Sequence, residues 1–202
     1  MFTGIISDVG EVLDVEDKAE GLRRIRIACS YDPGTIDVGA SIACSGICLT
    51  VIERGRTGNR SWIAVDAAAE TLRMTTAAGW ERGSSLNLER SLRLCDELGG
   101  HLVSGHVDGI AELVARDDFV DMSALSLRTP GKLARFSAPK GSVALDGVSL
   151  TVNTIEADIF SVLIIPHTLK ATTLGSLAIG AKSNLEVDLM ARYAARLLQV
   201  AS

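Results

Sequence analysis

The chain has 202 residues, 47% apolar, 22% charged and only 4% aromatic, with a formal net charge of -5. That length suits two domains of about 100 residues each, while the acidic balance, the absence of a basic stripe and the scarcity of aromatics argue against nucleic acid as a partner. No apolar stretch approaches the ~18 residues needed to span a bilayer, and the opening MFTGIISDVG lacks the basic and apolar regions of a signal peptide. A cytoplasmic chain without a membrane partner is expected.

In chain order, Leu22–Ala28 alternates apolar and basic residues from Arg24 onward, the mark of a half-buried strand. Ile47–Ile52 and Ser61–Val65 are short β-branched runs, separated by the turn-rich Arg54–Asn59. Glu70–Thr76 reads as one or two helical turns, and the first half closes near Arg90. Ser91–Gly100 is a linker into a second half that begins at His101, where His167–Thr173 is again one or two helical turns. Asp188–Val200 contains no Gly or Pro. It reads as a helix with Asp188 as its N-cap and Leu189, Tyr193, Leu197 and Val200 on one face, packed on a barrel or on another subunit.

The second half repeats the first. Ser45–Val51 matches Asp146–Val152 and Ser41–Ala43 matches Ser142–Ala144, both displaced by 101 positions, and Phe2–Ile6 falls on Val103–Val107 at the same displacement. Glu70–Thr76 then matches His167–Thr173, and Asn87-Leu-Glu89 matches Asn184-Leu-Glu186, both displaced by 97. The change of four is expected to be a longer hairpin loop in the first half, at Arg54–Asn59. Many short strands with Gly-rich turns, repeated at this period, indicate two duplicated sandwich or barrel domains.

The cysteines, Cys29, Cys44, Cys48 and Cys95, form no CxxC and do not combine with the three histidines at metal-ligand spacing. Reduced, mostly buried thiols are expected, Cys29 and Cys95 among them. No metal and no cofactor are expected.

Four segments carry a family resemblance: Met1-Phe-Thr-Gly-Ile5, Gly46-Ile-Cys-Leu-Thr-Val51, Asp96-Glu-Leu-Gly-Gly-His-Leu-Val-Ser-Gly-His106 and Asp146-Gly-Val-Ser-Leu-Thr-Val152. On these the chain resembles the riboflavin synthase family over its whole length. The resemblance implies an all-β fold of two tandem six-stranded Greek-key barrels, residues 1–97 and 98–187, and a C-terminal helix over 188–202 that holds a homotrimer. It implies an active site between barrels of neighbouring subunits. Two molecules of 6,7-dimethyl-8-ribityllumazine would stack there and dismutate to riboflavin and 5-amino-6-(D-ribitylamino)uracil. It leaves room for association with lumazine synthase.

The same resemblance implies the site residues. At a first site fall Gly4, Ile5, Ile6, Ser41, Cys48, Leu49, Thr50, Asp66, Ala67, Ala68, Ala69, Glu70 and Thr71. Backbone groups there would read the pyrimidinedione edge, with Ser41 and Thr50 on ribityl hydroxyls. At a second site fall His101, Gly105, His106, Val107, Lys140, Ser149, Leu150, Thr151, Leu163, Ile164, Ile165, Pro166, His167 and Thr168. Cys48, His106, Ser149, Thr151 and Asp188 are the candidates for catalysis; for Cys48 a small buried packing residue, and for Asp188 a plain helix cap, are the competing readings. Two other classes compete for the whole chain. One is a non-catalytic lumazine- or flavin-binding antenna protein, which would lose one of the two sites, whereas both halves here keep Gly-x-[Cys/Ser]-Leu-Thr-Val. The other is a flavin reductase barrel, which would need a glycine-fingerprint βαβ unit that the sequence lacks.

Overall fold

A computed structural model describes residues 1–200, with side chains to Leu198. The first half forms β1 (Asp8–Asp17), β2 (Arg23–Cys29), β3 (Ser41–Cys44), β4 (Ile47–Thr57), β5 (Arg60–Ala67), a short helix α1 (Ala69–Met74) and β6 (Ser85–Arg90). The second half forms β7 (Gly109–Asp118), β8 (Ser123–Arg128), α2 (Gly131–Ala134), β9 (Ser142–Leu145), β10 (Val148–Glu156), β11 (Ile159–Ile164), α3 (Pro166–Ala171) and β12 (Lys182–Val187), followed by α4 (Leu189–Val200). Each set of six strands closes into an antiparallel barrel, ordered β1-β2-β5-β4-β3-β6 and, in the same cyclic sense, β7-β8-β11-β10-β9-β12. The sequential strands 3, 4 and 5 of each half form hairpins, and the connections from 2 to 3 and from 5 to 6 cross over, which is the Greek-key pattern.

Alternation drives closure. Along β5 the side chains of Ile63, Val65 and Ala67 are buried in the first core, with Val12, Ile25, Ile27, Leu49 and Val51. Leu113, Leu125, Leu127, Val152, Phe160, Val162 and Ile164 fill the second. A closed barrel leaves no free edge strand on which another chain could pair.

The four extra residues of the first half are not in a longer loop. Both β4–β5 and β10–β11 turn in two residues, between Thr57 and Arg60 and between Glu156 and Ile159. The extra residues lengthen the arms instead: β4 and β5 have 11 and 8 residues against 9 and 6 in β10 and β11. Adding two residues to each arm preserves which face every side chain occupies, whereas an odd insertion would reverse it.

The β3–β4 and β9–β10 hairpins each turn on two residues with positive φ, Ser45-Gly46 and Asp146-Gly147, the requirement of a two-residue turn that matches strand twist. The two turns meet at the centre of the molecule. A Cβ on Gly46 would stand 2.6 Å from the Gly147 nitrogen, so only glycine fits.

Helix α4 begins where the sequence predicts. Its N-cap is Asp188, whose Oδ1 accepts the Met190 N–H at 2.8 Å. Tyr193 and Leu197 are 62% and 71% exposed, so the apolar face does not lie on this chain's own barrels; the Val200 side chain lies outside the described residues. Among the described residues no helix is long and apolar enough to cross a membrane.

Candidate functional site

The two N-terminal segments of the repeat are exchanged between the barrels. Phe2 and Val103 pair as an antiparallel bridge, with N–H to O distances of 2.8 and 3.1 Å. Beyond that crossing, Ser149 N–H donates to Gly4 O and Cys48 N–H donates to Gly105 O, each at 2.8 Å. Ile6 then packs on the second core and Val107 on the first. The grouping expected from sequence is therefore corrected. Gly4-Ile5-Ile6 belongs with Ser149, and Gly105-His106-Val107 belongs with Cys48. Repeat alignment finds equivalent positions, but it does not say which of the two barrels each segment docks on.

Two buried glutamates hold the exchange. The Glu89 carboxylate accepts Thr3 N–H and Oγ1–H at 2.7 Å and Gly4 N–H at 3.0 Å. Glu186 accepts Ser104 N–H at 2.7 Å, Ser104 Oγ–H at 2.6 Å and Gly105 N–H at 2.8 Å. Burial pushes the Glu89 carboxyl above its usual range, and these hydrogen bonds pull it back. Asn87 and Asn184 lock the same seam reciprocally. Asn87 Nδ2 donates to Asp146 O and Asn184 Nδ2 to Ser45 O, while Asn87 Oδ1 accepts from Thr173 N–H and Asn184 Oδ1 from Thr76 N–H. The repeated Asn-Leu-Glu carried this signal in the sequence, but an unpaired motif gives no partner.

Each barrel thus presents one patch on its third and fourth strands. In the first, Ser41 pairs in register with Thr50 and Ala43 with Cys48. Cys48 is half-buried, Thr50 is exposed, and the exposed His106 arrives on the exchanged segment. In the second, Ser142 pairs with Thr151 and Ala144 with Ser149. Ser142, the counterpart of Ser41, joins the candidates; the repeat alone could have supplied it. Exposed Ile5, Leu163 and Ile165 provide apolar surface around this half, and Thr168 is half-buried while Pro166 and His167 are exposed on α3.

His101 belongs to the second patch. Its Nδ1 stands 2.7 Å from Ser149 Oγ, and its backbone N–H donates to Thr3 O. Burial pushes the imidazole below its ordinary value of 6.5, opposed by the negative charge of Asp188. A neutral ring can accept the hydroxyl proton of Ser149, which a hydroxyl alone could not give up readily. The Nε2 atom is buried without a partner among the described residues.

Side-chain direction sorts the remaining expected residues. Leu49, Ala67 and Ile164 lie at 4%, 0% and 0% exposure in the barrel cores, because successive residues of a strand face opposite sides. Only their backbones can meet a ligand. Leu150 likewise packs against the second core. The Asp66 carboxylate is engaged by Arg24 at 2.9 and 3.0 Å, and Glu70 by Arg73 at 2.6 and 2.9 Å. Ala68 and Ala69 are exposed and Thr71 half-exposed at the start of α1. Lys140 is exposed at φ 67°, where the first half has Gly39 at φ 93°. A side chain held in the left-handed region costs about 1 kcal/mol that glycine avoids, a strain typical of functional positions. All four cysteines are free thiols: Cys44 is buried, Cys29 and Cys48 half-buried, and Cys95, contrary to expectation, exposed. Its linker position at φ 76° gives it no core to enter.

Residues 3–91 and 104–188 each match the family described as Lumazine binding domain. A riboflavin synthase of Brucella abortus (strain 2308) is 56% identical over 98% of both chains. One of Mycobacterium tuberculosis (strain ATCC 25618 / H37Rv) is 40% identical over all of both. The chain belongs to the riboflavin synthase family. Among solved structures, LumP complexed with riboflavin superposes with a TM-score of 0.82 at 22% identity, covering 93% of this chain and 99% of that one. LumP complexed with 6,7-dimethyl-8-(1'-D-ribityl) lumazine gives 0.79 at 23%. At that identity the likeness is one of fold, whereas the family's sequence match spans both barrels and ends at Asp188, the N-cap of α4.

Proposed function

We propose that the chain is a riboflavin synthase, a transferase that moves a four-carbon unit between two molecules of 6,7-dimethyl-8-ribityllumazine to give riboflavin and 5-amino-6-(D-ribitylamino)uracil. The observation that carries this reading is the pair of matched patches. Each has a hydroxyl pair across two strands, Ser41–Thr50 and Ser142–Thr151, beside a segment delivered from the other repeat. A reaction that consumes two copies of one molecule is served by two related sites, and holding reactants face to face removes up to ~7–11 kcal/mol of barrier.

The patches differ where donor and acceptor would need to differ. The first has Cys48 with His106; the second has Ser149 with His101 and Ile5. The substrate's 7-methyl protons are acidic because the ring delocalises the resulting anion, so a modest base suffices. The neutral His101 beside Ser149 supports the second patch as the place where a proton is held or moved. Backbone N–H groups and hydroxyls there would stabilise the anion.

We place the domain boundaries at 97/98 and 187/188, with 188–202 as the assembly segment of a homotrimer. The exposed Tyr193, Leu197 and Leu198 support α4 as a contact between subunits, and the first barrel of one subunit would then meet the second barrel of its neighbour. The direct test is incubation of the protein with the lumazine alone, following riboflavin by its absorbance.

A further inference from the structure

The exposed face of α4 accounts for a subunit contact but not for the way its first turn is tied down. Arg192 Nη2 lies 2.7 Å from Asp108 Oδ2 and 3.4 Å from the carbonyl oxygen of His106. The same Asp108 oxygen accepts the Val187 N–H at 2.9 Å. One carboxylate therefore joins the end of β12, the first turn of α4 and the chain immediately after His106. The pair is largely withdrawn from water, with side chains 29% and 18% exposed, and Arg192 Nε is buried without a partner among the described residues. Desolvating a guanidinium with a donor unused works against stability, so the arrangement is better explained by the geometry it holds.

The first half has no such tie. The counterpart of Asp108 is Ser7, whose Oγ pairs with Tyr31 OH at 2.6 Å, and a linker rather than a helix follows β6. The device is present only on the segment that carries His106, the imidazole delivered to the Cys48 patch of the first barrel.

We propose that Arg192 is a positioning residue. It fixes the backbone at His106, hence the direction in which that imidazole is presented, and makes the presentation depend on α4 being in place. Only the kinetic part of this proposal rests on the synthase reading. Misplacing an aligned group by about 1 Å can cost ~10²-fold in rate, while ligand held by the barrel backbone is less affected.

The chain has three histidines, so their ring signals can be assigned in a histidine-labelled NMR spectrum by replacing each in turn. Arg192→Ala and Asp108→Asn are each expected to move the His106 signal, leaving those of His101 and His167 in place. Because a single nitrogen of Arg192 makes both contacts, the ammonium of Arg192→Lys can take its position and should restore the His106 signal. In turnover, Arg192→Ala should lower kcat about tenfold or more with little change in KM. The effects of Arg192→Ala and Asp108→Asn on turnover should combine to less than their sum in the double variant, because both break the contact the two residues share. A His106 signal unmoved in both single variants overturns the proposal, as does a rise in KM at unchanged kcat. If the wild-type protein makes no riboflavin, the synthase reading falls while the NMR comparison still decides the role of Arg192.

Discussion

Ser149 donates its backbone N–H to the carbonyl of Gly4 at 2.8 Å, so a residue of the second barrel is bound to the first few residues of the chain. Gly4 has φ +77°, and a Cβ there would stand 2.5 Å from Ser149 Cβ and 2.7 Å from its nitrogen. Gly105, with φ +78°, meets Cys48 in the same way, at 2.6 and 2.9 Å. Gly4→Ala or Gly105→Ala combines a left-handed side chain with overpacking and should lower unfolding stability by roughly 2–4 kcal/mol. Urea melts measure this; a loss below about 0.5 kcal/mol would mean that the segments are not seated as described.

The exchange changes what the first half does alone. Residues 1–97 contain a complete barrel core but not the segment 103–107 that covers Cys48, while their own Phe2–Ile6 segment loses the second barrel it docks on. Two copies can satisfy each other, with Gly4 of one taking the place of Gly105 on the other. The isolated half is therefore expected to fold as a dimer, bind riboflavin and turn over poorly. Sedimentation equilibrium decides; a monomer at full ligand affinity would contradict the exchange.

How much of this was legible in the sequence follows from what each signal encodes. Alternation in Leu22–Ala28 and the repeated Gly-x-x-Leu-Thr-Val placed strands and hydroxyl patches, and the cap at Asp188 placed α4, because these are local properties. The exchange of Gly4 and Gly105 between barrels was not legible: the two docking positions are equivalent by sequence, and only tertiary packing distinguishes them. Glu89 and Glu186 stood in a visible repeat, but a buried carboxylate acquires meaning only through the Thr3 and Ser104 groups it binds. Backbone contacts at Leu49 and Ala67 were expected from motif position, and period-two alternation, which turns their side chains and that of Ile164 inward, leaves those backbones available.

One buried and one half-buried group give the protein an opposed pH dependence. The Asp146 carboxyl, at the seam, is pushed up to about 6 by burial, although Asn184 N–H donates to it at 2.8 Å. Its folded value lies above the unfolded 3.8, so its contribution is fully present below pH 3.8 and is lost as pH rises through about 6, a change of roughly 3 kcal/mol. Asp146→Asn keeps an acceptor for Asn184 and should raise stability at pH 8 while changing little at pH 4. His101 runs the other way. Its folded value lies below 6.5, so stability is retained above that value and lost as pH falls through the folded one. Denaturant midpoints of the wild type and Asp146→Asn from pH 4 to 8 measure both effects; equal slopes between pH 4 and 6 would remove Asp146 as their source.

The His101–Ser149 contact also predicts kinetics. Protonating His101 removes the acceptor for the Ser149 proton, so turnover should fall on the acid side, and His101→Gln should lower kcat by about 10²-fold or more. A pH–rate profile of His101→Gln that keeps the wild-type acid limb would assign that limb to another group.

Tyr193 and Leu197 are exposed in the single chain, so Tyr193→Glu with Leu197→Glu should leave the barrels folded and disrupt assembly. Light scattering should report smaller particles and the assay most of the turnover lost. Unchanged mass with full turnover would place the subunit contact elsewhere.

In the proposed reaction, two matched but unequal patches bring together two molecules of one substrate. The most direct measurement is stoichiometric: purified protein with 6,7-dimethyl-8-ribityllumazine as the sole added reactant, following lumazine consumed and riboflavin formed. One riboflavin is expected for every two lumazines, with 5-amino-6-(D-ribitylamino)uracil as the co-product and no change on adding a chelator. Lumazine bound but not consumed, or riboflavin formed only when a nicotinamide or a divalent ion is supplied, would contradict it.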